Sequence, residues 1–181
     1  GQCPECNEWN CLEETLIETA PATKQAARFS GYAGNAANIL LLQNVAAVEE
    51  SRIFTGISEL DRVLGGGLVN GSVVLIGGDP GIGKSTLLLQ TLATLSQQVS
   101  TLYVTGEESP QQVSLRAQRL GLDVNRIKLL TETQIEKVLT ISQQEHPKIM
   151  VIDSIQTVYT DILQSAPGSV AQVRESAAQL V

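Results

Sequence analysis

From Arg52 onward, short apolar runs alternate with segments of helical spacing. Residues 72–77, Ser-Val-Val-Leu-Ile-Gly, read as a buried strand, and residues 85–92, Ser-Thr-Leu-Leu-Leu-Gln-Thr-Leu, read as a helix. A second buried strand follows at residues 101–105. Ser109 is placed to cap a helix that has Pro110 at its first position and Gly121 at its end. Residues 127–130 form a third strand. Thr133 and Glu136 have capping-box spacing, and the helix they open ends before Pro147. Residues 148–153 are a fourth strand, and a last helical run covers residues 170–181. Upstream, Ser58 and Asp61 resemble a capping box for a short helix that Gly65, Gly66 and Gly67 stop. Strands alternating with helices predict right-handed βαβ units, hence an α/β fold with a mainly parallel sheet flanked by helices.

The first 50 residues have a different character. Residues 13–50 carry no strong periodicity, and residues 31–38 read as a flexible linker. Leu40, Leu41, Leu42 and Val45 fit either a short strand or a helix. Ahead of them, Cys3-Pro4-Glu5-Cys6 has zinc-ribbon spacing, with Trp9 and Asn10 just after. Zinc takes four ligands in a tetrahedron, and one C-x-x-C pair supplies two. Cys11 is a third thiol at an unusual spacing. The alternative for Cys3 and Cys6 is a pair of free thiols.

Composition narrows the function classes. The chain has 181 residues, 43% of them hydrophobic and only 3% aromatic, so its core is aliphatic. The net charge of −7 excludes a surface that is basic all over, and nucleic-acid contact would need a local basic cluster. No apolar run approaches membrane-spanning length. Two of three cysteines in one C-x-x-C pair do not make a secreted disulfide framework. A start at Gly1 rather than Met reads as a fragment.

The candidate chemistry sits between the first predicted strand and its helix. Gly78, Asp79, Pro80, Gly81, Ile82, Gly83, Lys84 and Ser85 fit the phosphate-loop pattern G-x-x-x-x-G-K-[ST] at every defined position, with Thr86 next. Gly78, Gly81 and Gly83 can adopt positive φ, which lets successive backbone N–H groups turn onto an anion. The following helix points its positive end at the same place. Lys84 supplies a mobile charge for the β- and γ-phosphates of ATP, and the Ser85 hydroxyl is placed to ligate Mg²⁺. The alternative is an ordinary glycine turn, which the flanking strand and helix disfavour.

Two further positions complete a nucleotide site. Asp153 ends an apolar strand, where a carboxylate at the carboxyl edge of a parallel sheet can orient the Mg²⁺ shell. Its alternative is a solvated strand-end acid capping a turn with Ser154. Glu107 and Glu108 follow the second strand at the same edge, where a carboxylate within one water of the γ-phosphate serves as general base. Glu107 is read as that base, with Glu108 assisting or substituting. The alternative is an acidic pair favouring a helix dipole. His146, before Pro147, reads as a surface or capping residue, and Arg116 and Arg119 as solvated or ion-paired.

Together these residues resemble the RecA-like P-loop ATPases, and more closely the RadA/Sms family of bacterial DNA repair proteins. The resemblance rests on residues 1–10, 55–67, 77–90, 106–109 and 153–157 and covers nearly the whole chain. It implies a four-cysteine zinc finger, a RecA-like core and a C-terminal Lon-protease-like domain. It also implies a cytoplasmic, homo-hexameric, DNA-dependent ATPase that binds single-stranded DNA, acts with a recombinase and promotes branch migration of recombination intermediates. On this resemblance Lys84 and Ser85 take the triphosphate and Mg²⁺ roles, and Glu107 the catalytic glutamate role. Residues 159–169 correspond to a loop facing a central DNA channel, yet they contain no Lys or Arg. The first C-x-x-C of the finger and the family's Lys-Asn-Arg-Phe-Gly motif are missing. The expected layout is therefore residues 1–12 as the second half of a C4 finger that binds Zn²⁺ in the complete protein. Residues 13–50 are then a linker, and 51–181 the N-terminal part of the core. Two alternatives stay open: a RecA-like ATPase acting on a protein, similar to the KaiC family, and a nucleotide-dependent assembly module.

Overall fold

Strand β3 (Thr101–Thr105) is buried at all five positions and lies at the centre of the fold. It belongs to a computed structural model that describes residues 41–44 and 51–181, all within one compact unit, Leu40–Val181. The C-x-x-C pair and most of the expected linker lie outside the described residues. Leu42–Asn44 forms a short, exposed 3-10 turn, and Leu40 and Val45 lie outside the described residues.

β3 pairs in parallel with β4 (Ile127–Thr131) on one side and β5 (Ile149–Asp153) on the other, giving the order β4-β3-β5. The register sets Thr105 level with both Thr131 and Asp153, so all three strands end on one edge. Alternate β3 residues feed two cores, as strand periodicity requires. Tyr103 joins Leu89 and Leu92 of α2 (Lys84–Leu95) and Val113 and Ala117 of α3 (Pro110–Arg119). Leu102 and Val104 join Ile135 and Val138 of α4 (Ile135–Glu145), with Leu180 of α5 (Val170–Leu180) packed alongside. The result is a three-layer sandwich in which β3-α3-β4 and β4-α4-β5 are two of the predicted βαβ units.

Helix ends follow local chemistry, sometimes by a different residue than the sequence pattern suggests. At α3, Ser109 accepts from the Gln112 amide while the Gln112 side chain accepts from the Ser109 amide, a complete capping box with Pro110 at the first position. Gly121, at φ 64°, ends it as expected. The other two expected boxes do not form. α1 (Ser58–Val63) has Ile57 at its N-cap, and Asp61 instead accepts from the Thr55 amide at 2.8 Å. α4 has Gln134 at its N-cap and no side-chain cap: Glu132 accepts from the Thr133 and Gln134 amides just ahead of the helix at 2.9 and 3.0 Å, and the Ile135 amide donates to the Tyr159 carbonyl. Glu136, free of capping, accepts from the Thr160 hydroxyl.

The glycine triple acts as a helix stop inside a small antiparallel pair, β1 (Arg52–Ile53) with β2 (Leu68–Val69). A Cβ on Gly67 would lie 2.6 Å from the Ile53 carbonyl oxygen, so the close approach of the two segments requires glycine.

The expected strand over residues 72–77 is absent. That run forms no regular element and joins no sheet, and Val73 and Leu75 are 65% and 84% exposed. A parallel strand is stabilised by neighbours on its edges and cover on both faces. Beside β5, this run would gain one neighbour and leave its outer edge unpaired.

Residues 159–169 are an ordered crossing rather than a free loop. The buried Gln172 side chain donates to the carbonyls of Thr160, Leu163 and Ser165 at 2.9–3.2 Å and accepts from the Thr160 amide.

Candidate active site

The phosphate-loop residues lead directly into α2, whose N-cap is Gly83 at φ 104° with no side-chain capping bond. The first-turn amides therefore remain without the usual Ser or Asp acceptor, which is the condition for an anion to take that place. Gly81 also holds positive φ, 81°, while Gly78 is nearly extended at 156°. Residues 78–83 are exposed, and Lys84, Ser85 and Thr86 are half-buried. Lys84 Nζ donates to the carbonyls of Gly78 and Asp79 at 2.8 and 2.9 Å, closing the loop on itself. An uncapped helix start and a lysine held across its own loop fit a triphosphate, which offers oxygens to both.

Topology brings the loop to the carboxyl edge of the sheet. α2 packs on β3 and β5 and turns back within five residues into the start of β3, so it runs antiparallel to the strands. Its N-terminus thus lies toward the strand ends that carry Glu107 and Asp153.

At that edge the acids have distinct partners. Asp153 is buried and accepts a 2.5 Å hydrogen bond from the Tyr103 hydroxyl. The Tyr103 hydroxyl is pushed far above its ordinary range, first by burial and then by the bond to Asp153 and its charge. It therefore stays protonated and donates. Glu107 accepts from the Ser154 hydroxyl at 2.6 Å, and the Asp153–Ser154 peptide is cis. Glu108 pairs with Arg116 of α3, both largely buried, while its amide donates to Thr105 Oγ1. Glu107 and Glu108, adjacent in sequence, are thus held by Ser154, just past β5, and by Arg116 of α3 respectively. Among the described residues no cluster of three or more His, Cys, Asp or Glu side chains could hold a metal by itself. Ser85 and Asp153 could hold Mg²⁺ only together with phosphate oxygens and water.

The sequence pattern brought forward every acid here but missed their partners. Tyr103 is the aromatic residue in an otherwise aliphatic and Thr-rich strand, and that departure is the signal for it. Arg116 came forward only as solvated or ion-paired, without its partner. Ser154 came forward only as a turn residue.

A glycine loop with an uncapped helix start, at the sheet edge where Glu107 and Asp153 follow or end parallel strands, defines a RecA-like P-loop nucleotide-binding domain. The chain belongs to the KaiC family of ATPases, whose sequence pattern matches residues 53–146. It is also similar along its length to curated proteins named DNA repair protein RadA. That of Pseudomonas aeruginosa is 60% identical over all of this chain and 39% of its own length. Those of Escherichia coli and Bacillus subtilis are 54% and 49% identical over 99% and 100% of this chain. The chain spans about two fifths of the length of these relatives.

Proposed function

We propose that this chain carries the N-terminal part of the motor core of a DNA repair ATPase. In this reading residues 51–181 bind ATP and Mg²⁺. The glycine-loop amides and Lys84 hold the phosphates. Ser85 and Asp153 hold the ion, which neutralises phosphate charge when bound. Glu107, held by Ser154, positions and deprotonates the attacking water. Glu108 is committed to Arg116, so the base role rests on Glu107 alone. The observation that carries the reading is the uncapped phosphate loop on the same sheet edge as Glu107 and Asp153.

The relatives' name supports a role in DNA repair. With it come the finer expectations: binding of single-stranded DNA, branch migration of recombination intermediates beside a recombinase, a homo-hexameric ring, a cytoplasmic location, and zinc at Cys3 and Cys6. No helix among the described residues is long and apolar enough to cross a membrane. A protein-directed ATPase is the second reading, favoured by residues 159–169, which lack Lys and Arg and are pinned by Gln172.

The test is ATP hydrolysis by the full-length protein with and without single-stranded DNA, with Lys84→Ala as control. DNA-stimulated turnover that Lys84→Ala abolishes is expected. Turnover indifferent to DNA would favour the protein-directed reading, and nucleotide binding without turnover an assembly module.

A further inference from the structure

We propose that Tyr103 is a positioning residue for Asp153: its hydroxyl fixes one carboxylate oxygen and leaves the other for the hydration shell of the nucleotide's Mg²⁺. This rests on the nucleotide reading above.

Tyr103 is fully buried at the midpoint of β3, where a phenylalanine would fill nearly the same volume. A buried hydroxyl is unfavourable there unless it is bonded. Its bond reaches from β3 to the end of β5 and meets Asp153 at Oδ2. Arg116 of α3 and Glu108 stand near enough to act on the phenol electrostatically, in opposite senses. Those two pair with each other, and the Tyr103 proton goes to Asp153. A carboxylate with one anchored oxygen has lost rotation about its side chain, so its second oxygen has a fixed aim. That is the preorganisation a water-mediated metal contact requires.

The experiment compares the Kd of a non-hydrolysable ATP analogue in Mg²⁺ and in EDTA, using the full-length protein. The readout is the ratio of the two, which a purely structural role does not move. Tyr103→Phe should reduce that ratio about tenfold, as expected for losing a hydrogen bond to a charged group. Its affinity in EDTA should stay unchanged. Asp153→Asn should collapse the ratio, and Tyr103→Phe should add nothing in that background. A Tyr103→Phe protein with lowered Tm but the original ratio overturns the proposal. If Asp153→Asn collapses the ratio while Tyr103→Phe does not, positioning fails and the site reading stands. If Asp153→Asn keeps the original ratio, the metal role of Asp153 fails and the proposal with it. Should Tyr103→Phe not fold, ζ-¹³C-tyrosine NMR of the unaltered protein is decisive, with the Tyr103 signal assigned by replacing the other tyrosines. That signal should shift when Mg²⁺ is added to nucleotide-saturated protein, and a signal that stays in place overturns the proposal.

Discussion

Glu107 leaves β3 through Gly106, and that glycine has almost no room. An added Cβ would lie 2.5 Å from Thr157 Oγ1 and 2.6 Å from Thr133 Cγ2, both on short side chains that cannot swing clear. Gly106→Ala should therefore destabilise the fold by about 1–3 kcal/mol, the usual range for overpacking. Urea unfolding measures this, and a variant of unchanged stability would show that the two threonines yield. The Ser154 hydroxyl then aims the carboxylate that Gly106 delivers. Glu107→Gln should lower kcat by about 10²–10⁴, the contribution of a general base. Ser154→Ala should lower kcat by only about tenfold with KM for ATP little changed, because the base remains and only its aim is loosened. Equal losses in the two variants would mean that Ser154 does more than aim Glu107. The phosphate loop was legible because its chemistry is contiguous. The partners of Asp153 and Glu107 were not, because they lie 50 and 47 residues away and meet only through the parallel register of β3 and β5.

Among the elements, α4 shows that a helix can start where the sequence pattern says without the capping bonds that pattern implies. The Thr133–Glu136 spacing marked a helix start to within a residue, but Glu132, one residue earlier, accepts from the Thr133 and Gln134 amides in the turn ahead of the helix. Those two bonds lead the causes that hold the Glu132 carboxyl below its ordinary range. A folded value below the unfolded one adds stability that is present above about pH 4, the unfolded range. That stability is lost as the pH falls through the lower folded value. Glu132→Ala should cost about 1 kcal/mol at neutral pH, the typical net loss for a hydrogen bond. The gap between variant and parent should close toward acid in denaturation measured across pH. A gap independent of pH would place the effect in packing rather than in the charged acceptor. The strands expected at residues 101–105 and 127–130 were equally legible, since short runs rich in apolar and β-branched residues between turn signals leave little choice. Residues 72–77 carry the same kind of run, and there the pattern reported burial that the described fold does not supply.

At the level of the whole molecule, alternation of strands and helices predicted the α/β class, but not which strand would be central. The order β4-β3-β5 follows from burial on both faces of β3, which no local pattern states. One consequence is an open edge. β5 pairs on one side only among the described residues, and the apolar run with Val73 and Leu75 lies exposed. Unpaired strand edges and exposed apolar runs favour association with another chain. A net charge of −7 opposes association, but at physiological salt its repulsion is screened beyond about 8 Å, so short-range strand pairing prevails. The 181-residue chain should thus self-associate with rising concentration in sedimentation velocity. Val73→Lys with Leu75→Lys should shift it toward monomer without changing its helical circular dichroism, because neither side chain belongs to a core. Association untouched by the two lysines would locate the contact elsewhere, with the exposed Phe54 and Val63 near α1 the next apolar surface to alter.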